Sequence, residues 1–225
     1  MFITSTGFKK LINEAYKKGC LHIANDGEGY TIAGDYWEIW IMHGWIPKKE
    51  LAAIIELTGA MPAKGEGYEA SKDGIQYETI FNDHKSTMEV ALKCEDLIEI
   101  TPLVLRYQTG QQARILQVPD NKTIMLINDK FTDMISNKAI EYDKGESAAE
   151  GPFISMEDIG IFYRSDTMAI HICPRTDDKN ISLLRYLERF DIIKAGKNDE
   201  HRLFGHGISK AGKEKETEKA QEEHP

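Results

Sequence analysis

Cysteine is scarce, basic residues are in deficit and no long apolar run occurs, and each absence removes a class of protein. Cys20, Cys94 and Cys173 are odd in number, far apart and without C-x-x-C spacing. That pattern supports neither a disulfide framework nor a zinc knuckle, and the three read as reduced, half-buried fillers. Nothing approaches the roughly 18 consecutive apolar residues of a membrane-spanning helix, and no basic start precedes a short apolar run and a small-residue cleavage site. The expectation is a cytoplasmic protein without a membrane partner. With 37 acidic against 28 basic residues the formal charge is −9. Bulk electrostatics therefore oppose casual adhesion to nucleic acid unless basic side chains gather on one face. An acidic surface that competes with DNA for a basic groove is the converse case.

Motifs that carry chemistry are missing too. The histidines His22, His43, His84, His171, His201, His206 and His224 form no H-x-x-x-H or H-x-H pair, so no metal or other cofactor is implied. There is no G-x-S-x-G, and Cys173 stands before Pro174 without an evident base. The acidic pairs Glu157-Asp158 and Asp177-Asp178 are adjacent, whereas acid/base pairs work across a cleft. No catalytic residue is assigned, and an enzyme is not expected. "GEGY" occurs at Gly27 and again at Gly65, yet neither copy completes G-x-G-x-x-G or carries the Lys-Ser/Thr of a P-loop. Both copies run into strands, so they read as turns that use glycine for backbone freedom.

What is present describes a folded chain. A hydrophobic fraction of 41% and a charged fraction of 29% are globular, and 225 residues suit one large domain or two small ones. "STGFKKLINEAYKKG" predicts a helix capped by Ser5 or Thr6, with Phe8, Leu11, Ile12, Ala15 and Tyr16 at helical spacing and Gly19 ending it. Strands follow in "CLHIAND", "YTIAG" and "DYWEIWIMHG", the last apolar on both faces and so expected at the centre of a covered sheet. "WIPKKELAAIIELTG" predicts a second helix, with Pro47 at its first position and Leu51, Ile54, Ile55 and Thr58 inward. Asp73-Gly74 marks a hairpin. "MEVALKC" is open between helix and strand, "DLIEITPLVLRYQ" is strand-like, and "ARILQV" pairs with "TIMLIND". A short helix in "DKFTDMISN", a hairpin turning at Ser165-Asp166 and an amphipathic helix with Leu183, Leu184, Leu187 and Phe190 on one side complete the pattern.

The expected class is α+β, a mainly antiparallel sheet with short helices. "YTIAGDYWEIWIMHGWIPKKELAAII" and "RILQVPDNKTIMLINDKFTDMISN" share one order of parts. On that order the chain divides into a first α+β repeat over 1–84 and a second over 85–194, with a disordered charged tail at 195–225; a single mixed domain is the alternative.

The "FITSTGFKKLINEAYKKG" helix, the "IPKKELAAIIELTG" helix, the repeated strand-helix unit and "MAIHICPR" together resemble the sliding clamps of DNA replication. The resemblance implies domains of two helices on antiparallel strands, assembled into a ring whose helix lysines face DNA. With two such domains it would cover about 190 residues, a size similar to that of clamps that trimerise. The short lysine-rich helices and the lack of recognisable chemistry are also similar to phage or prophage proteins. "EHRLF", at Glu200 to Phe204, resembles in part the Gln-Leu-x-Leu-Phe peptide with which proteins dock into bacterial clamps, which would make Leu203 and Phe204 partner-binding.

Three readings stand open. The first is a non-catalytic, oligomer-forming DNA-metabolism protein, clamp-like, with Lys9, Lys10, Lys17, Lys18, Lys48 and Lys49 on nucleic acid. The second is an acidic inhibitor from a mobile element that binds a DNA-acting host protein. The third is an enzyme whose site is assembled from scattered residues.

Overall fold

The computed structural model describes residues 1–79, 86–136, 147–155, 157 and 159–193. Leu203 and Phe204, the segment 195–225, and His84, His201, His206 and His224 lie outside the described residues.

Helix α1 (Ser5–Lys18) begins one residue earlier than its hydroxyls suggest. Thr4 is the cap: its backbone is extended, and its hydroxyl accepts from the Gly7 amide at 3.2 Å. Gly19, in the left-handed region at φ 78°, ends the helix as expected and returns its amide to the last turn. Phe8, Leu11, Ile12 and Ala15 are buried beneath it. Strands β1 (Leu21–Asn25), β2 (Gly29–Gly34) and β3 (Trp37–Met42) form an antiparallel meander.

Helix α2 (Lys48–Thr58) starts after Pro47, which occupies the cap position rather than the first helical one. Its buried residues are Glu50, Ala53, Ile54 and Thr58, whereas Ile55 is 40% exposed. The inward stripe is thus rotated from the predicted one, because α2 packs on α1 while Ala53 and Ile54 enter the main core.

Strands β4 (Glu66–Ser71) and β5 (Gly74–Thr79) make the expected hairpin, with Ser71 paired to Gly74. The ambiguous "MEVALKC" is helix α3 (Thr87–Lys93), settled by a capping box in which Ser86 and Glu89 each accept the other's amide. Strands β6 (Glu99–Arg106), β7 (Gln112–Gln117) and β8 (Ile124–Asn128), then α4 (Lys130–Met134), β9 (Glu150–Ser155), β10 (Gly160–Arg164), β11 (Met168–Ile172) and α5 (Ile181–Leu187) complete the chain.

The class is α+β with antiparallel sheets and short helices. An eight-stranded sheet runs β5-β4-β1-β2-β3-β11-β10-β9, and a second sheet runs β6-β7-β8. The two are stitched together at both ends. Leu97 bridges Phe153, the Ile98 amide donates to Pro152 O at 3.0 Å, and the Ile154 amide donates to Asp96 O at 2.8 Å. Beyond β11, the Arg175 amide donates to Leu126 O of β8 at 2.7 Å.

Strand β3 is central, as its two apolar faces require. Trp37, Ile39 and Ile41 enter the main core with Phe8, Leu11 and Ile54, while Trp40 joins Met88, Ala91, Phe153 and Phe162 under α3. Each fully buried side chain of this size contributes about 1.5–3 kcal/mol. Leu184 and Leu187 of α5 pack on Ala113, Ile115 and Leu126. Leu183 and Phe190, expected on the same side, are 43% and 48% exposed, because a helix this short rests on the sheet through a single i, i+3 pair. Among the described residues no helix is long and apolar enough to cross a membrane.

Candidate nucleic-acid interface

Helices α1 and α2 pack side by side over the main core. Lys9, Lys10, Lys17, Lys48 and Lys49 are all exposed on them. Few acids offset these charges. The one acid of α1, Glu14, is engaged by Lys130 Nζ at 2.7 Å. In α2, Glu50 is buried and Glu56 is the exposed acid. Lys17 lies in the last turn of α1, where the helix dipole favours a cation. Lys48 and Lys49 lie in the first turn of α2, where the dipole disfavours one and no side chain caps the amides. Helix stability does not account for that pair of lysines.

Lys18 belongs elsewhere. Its ammonium lies 2.9 Å from Asp35 in the β2–β3 turn, and a hydrogen bond to that carboxylate raises its pKa. The contact lies at the mouth of a cleft of about 360 Å³ between α1, the β2–β3 turn, β8–α4 and the chain beyond β11. Asp35 is pulled below the usual carboxylate value, first by the Cys20 thiol and then by Lys18. Burial, then Asp35, pushes the Cys20 thiol up, and burial with the charge of Glu38 does the same to Cys173. Both thiols line the cleft. Neither is in a disulfide.

The first GEGY turn is built shut. Asn25 Oδ1 accepts from Gly27 N at 2.9 Å, and Asp26 Oδ1 accepts from Glu28 N at 2.8 Å and Gly29 N at 2.7 Å. The amides a phosphate would need are taken by side chains. The second copy docks on the first, with Gly65 N donating to Asn25 O at 2.8 Å. The strand histidines are in structural positions: His22 stands opposite Glu69 and His171 opposite Glu38, and the His171 ring stacks on Phe162 at 4.7 Å. Among the described residues no group of three His, Cys, Asp or Glu is placed to hold a metal ion.

The cleft escaped sequence reading because its walls come from five separated segments with no shared motif. Only Lys18 among the predicted site residues lines it.

No family model matches the chain, and no curated protein sequence matches it. Among solved structures it is similar to the DNA polymerase III beta chain of Streptococcus pneumoniae TIGR4, at 11% identity and a TM-score of 0.29. The alignment covers 80% of this chain and 66% of that one, so the chain spans just under two thirds of its length. The resemblance is weak and at the level of the fold.

Proposed function

We propose that the protein is a non-catalytic, clamp-like processivity or scaffold factor of DNA metabolism that holds the phosphate backbone along α1 and α2. The observation that carries this reading is the exposed lysine set Lys9, Lys10, Lys17, Lys48 and Lys49 on two adjoining helices of an otherwise acidic chain. Lysines on one face replace condensed counterions, which supplies sequence-independent affinity. Their placement in the first turn of α2, against the helix dipole, supports a binding role over a stabilising one. The net charge of −9 keeps the rest of the surface off the duplex.

Fluorescence polarisation of a labelled duplex across a salt series tests it. Binding should weaken linearly in log–log form, with a slope reporting about as many phosphates as lysines engaged. Salt-insensitive binding, or none at low salt, would count against it. Light scattering after size exclusion checks the oligomer that a ring or scaffold needs; a clean monomer removes the ring.

A further inference from the structure

The cleft at the seam of the two sheets has chemistry that the lysine face does not use. It is lined by three cations, Lys18, Lys130 and Arg175, and two anions, Glu14 and Asp35. Two of the cations are already balanced: Lys18 by Asp35 at 2.9 Å and Lys130 by Glu14 at 2.7 Å. Arg175 is not. Among the described residues it forms no ion pair with a carboxylate. Asp177, the acid that senses its charge, spends Oδ2 on the Tyr107 hydroxyl and the Asn180 amide.

Arg175 is nonetheless held in place. Its guanidinium lies 4.1 Å over the Tyr107 ring, and Nη1 donates to Gln111 Oε1 at 3.0 Å. Its backbone is anchored on β8 through the Leu126 carbonyl. A fixed planar fork with one of five donors engaged is the arrangement that takes a carboxylate or phosphate through two parallel hydrogen bonds. Beside it, the Asn128 amide oxygen accepts from the Lys130 amide at 3.2 Å, leaving its NH₂ as a further donor. Of the aromatic residues along the lining, Tyr36 is 62% exposed, while Trp37 and Phe131 are buried in the core beneath it. At about 360 Å³ the cleft is at the small end of ligand sites.

We propose that this cleft is a binding site for a small compound bearing one carboxylate or phosphate, the anion on Arg175 and the body of the compound against the exposed Tyr36. The site is independent of the DNA face.

The test is isothermal titration calorimetry of the full chain with adenosine 5′-monophosphate and with benzoate, each against its uncharged counterpart, adenosine and benzamide. At least one anionic probe should bind tenfold or more tightly than its counterpart. Binding by the monophosphate alone assigns the group as phosphate, and binding by benzoate alone assigns it as carboxylate. Arg175→Gln should erase the preference and Arg175→Lys should retain part of it. Because Arg175 also packs on Tyr107, a second variant guards against misfolding: Thr176→Trp, at an exposed position on the rim, should block the cleft in a protein whose circular dichroism is unchanged. Equal binding of charged and uncharged probes, no binding of either anion at millimolar concentration, or full binding by folded Thr176→Trp would overturn the proposal. Lys10→Glu/Lys17→Glu should leave probe binding intact while weakening duplex binding, so the two sites fail separately.

Discussion

Lys18 and Asp35 tie the last turn of α1 to the β2–β3 turn through a 2.9 Å contact, and this draws one lysine of the α1 set away from its neighbours and into the cleft. The helix thereby separates its charges by position: Lys9, Lys10 and Lys17 remain outward, and Lys18 is paired with Asp35.

That pair sets a pH dependence. Asp35 is held below its usual 3.8, by Cys20 and then Lys18, so its stabilising contribution is full above the unfolded pKa and is lost as pH falls through the lower folded value. Lys18 is raised from 10.5, so its share is full below that pH and is lost as pH rises through the raised value. Both side chains are substantially exposed, which limits the pair to about 1 kcal/mol or less. Asp35→Asn should flatten the acid limb of urea midpoints measured below pH 4; a limb identical to that of the parent would remove the argument.

Lysine charge should appear in the salt slope. Lys10→Glu/Lys17→Glu should weaken duplex binding and lower the log–log slope by about one per lysine, with little change in folding. Lys18→Gln should change the slope far less, because its ammonium is already neutralised by Asp35. Equal effects at positions 17 and 18 would contradict the division of the helix.

Asn25 locks the two GEGY turns. It is buried, accepts from Gly27 N at 2.9 Å, lies 3.0 Å from His43 Nε2 and donates to Pro62 O at 3.0 Å. Asn25→Ala should cost about 1–3 kcal/mol, read as a lower denaturation midpoint at constant m-value. Asp26→Ala should cost a similar amount, since it removes the acceptor of the buried Trp40 indole N–H at 2.8 Å as well as that of the Glu28 and Gly29 amides.

Gln117 anchors the segment after α5. It is 1% exposed, donates to Phe190 O at 3.0 Å and accepts from Ile192 N at 2.9 Å. Gln117→Leu would leave those backbone groups unpaired and should cost about 1–3 kcal/mol. Limited proteolysis should then cut near residue 190 before the sheets open.

Much of the local structure was legible. Trp37 to Met42 announced a central strand by having no polar face, and Gly19 announced a helix end by its freedom to adopt positive φ. Where the reading shifted, the cause was tertiary. Thr4 displaced Ser5 and Thr6 as cap, because the cap is whichever hydroxyl stands where the extended chain turns into the helix. The α2 stripe rotated because α1 claimed one of its flanks. The α5 stripe lost Leu183 and Phe190 to solvent because this short helix meets the three-stranded sheet through Leu184 and Leu187.

By itself the sequence determined the elements, the antiparallel hairpins, the lysine content of α1 and α2 and the closed character of the GEGY turns, because each depends on contacts within a few residues. Only the tertiary structure decided that β3 pairs with β11, that the two sheets join through Leu97–Phe153 and Arg175–Leu126, and that Arg175 comes to share a cleft with Lys18 and Lys130. Those are meetings of residues tens of positions or more apart, governed by which apolar faces can be buried together, and no local spacing encodes them.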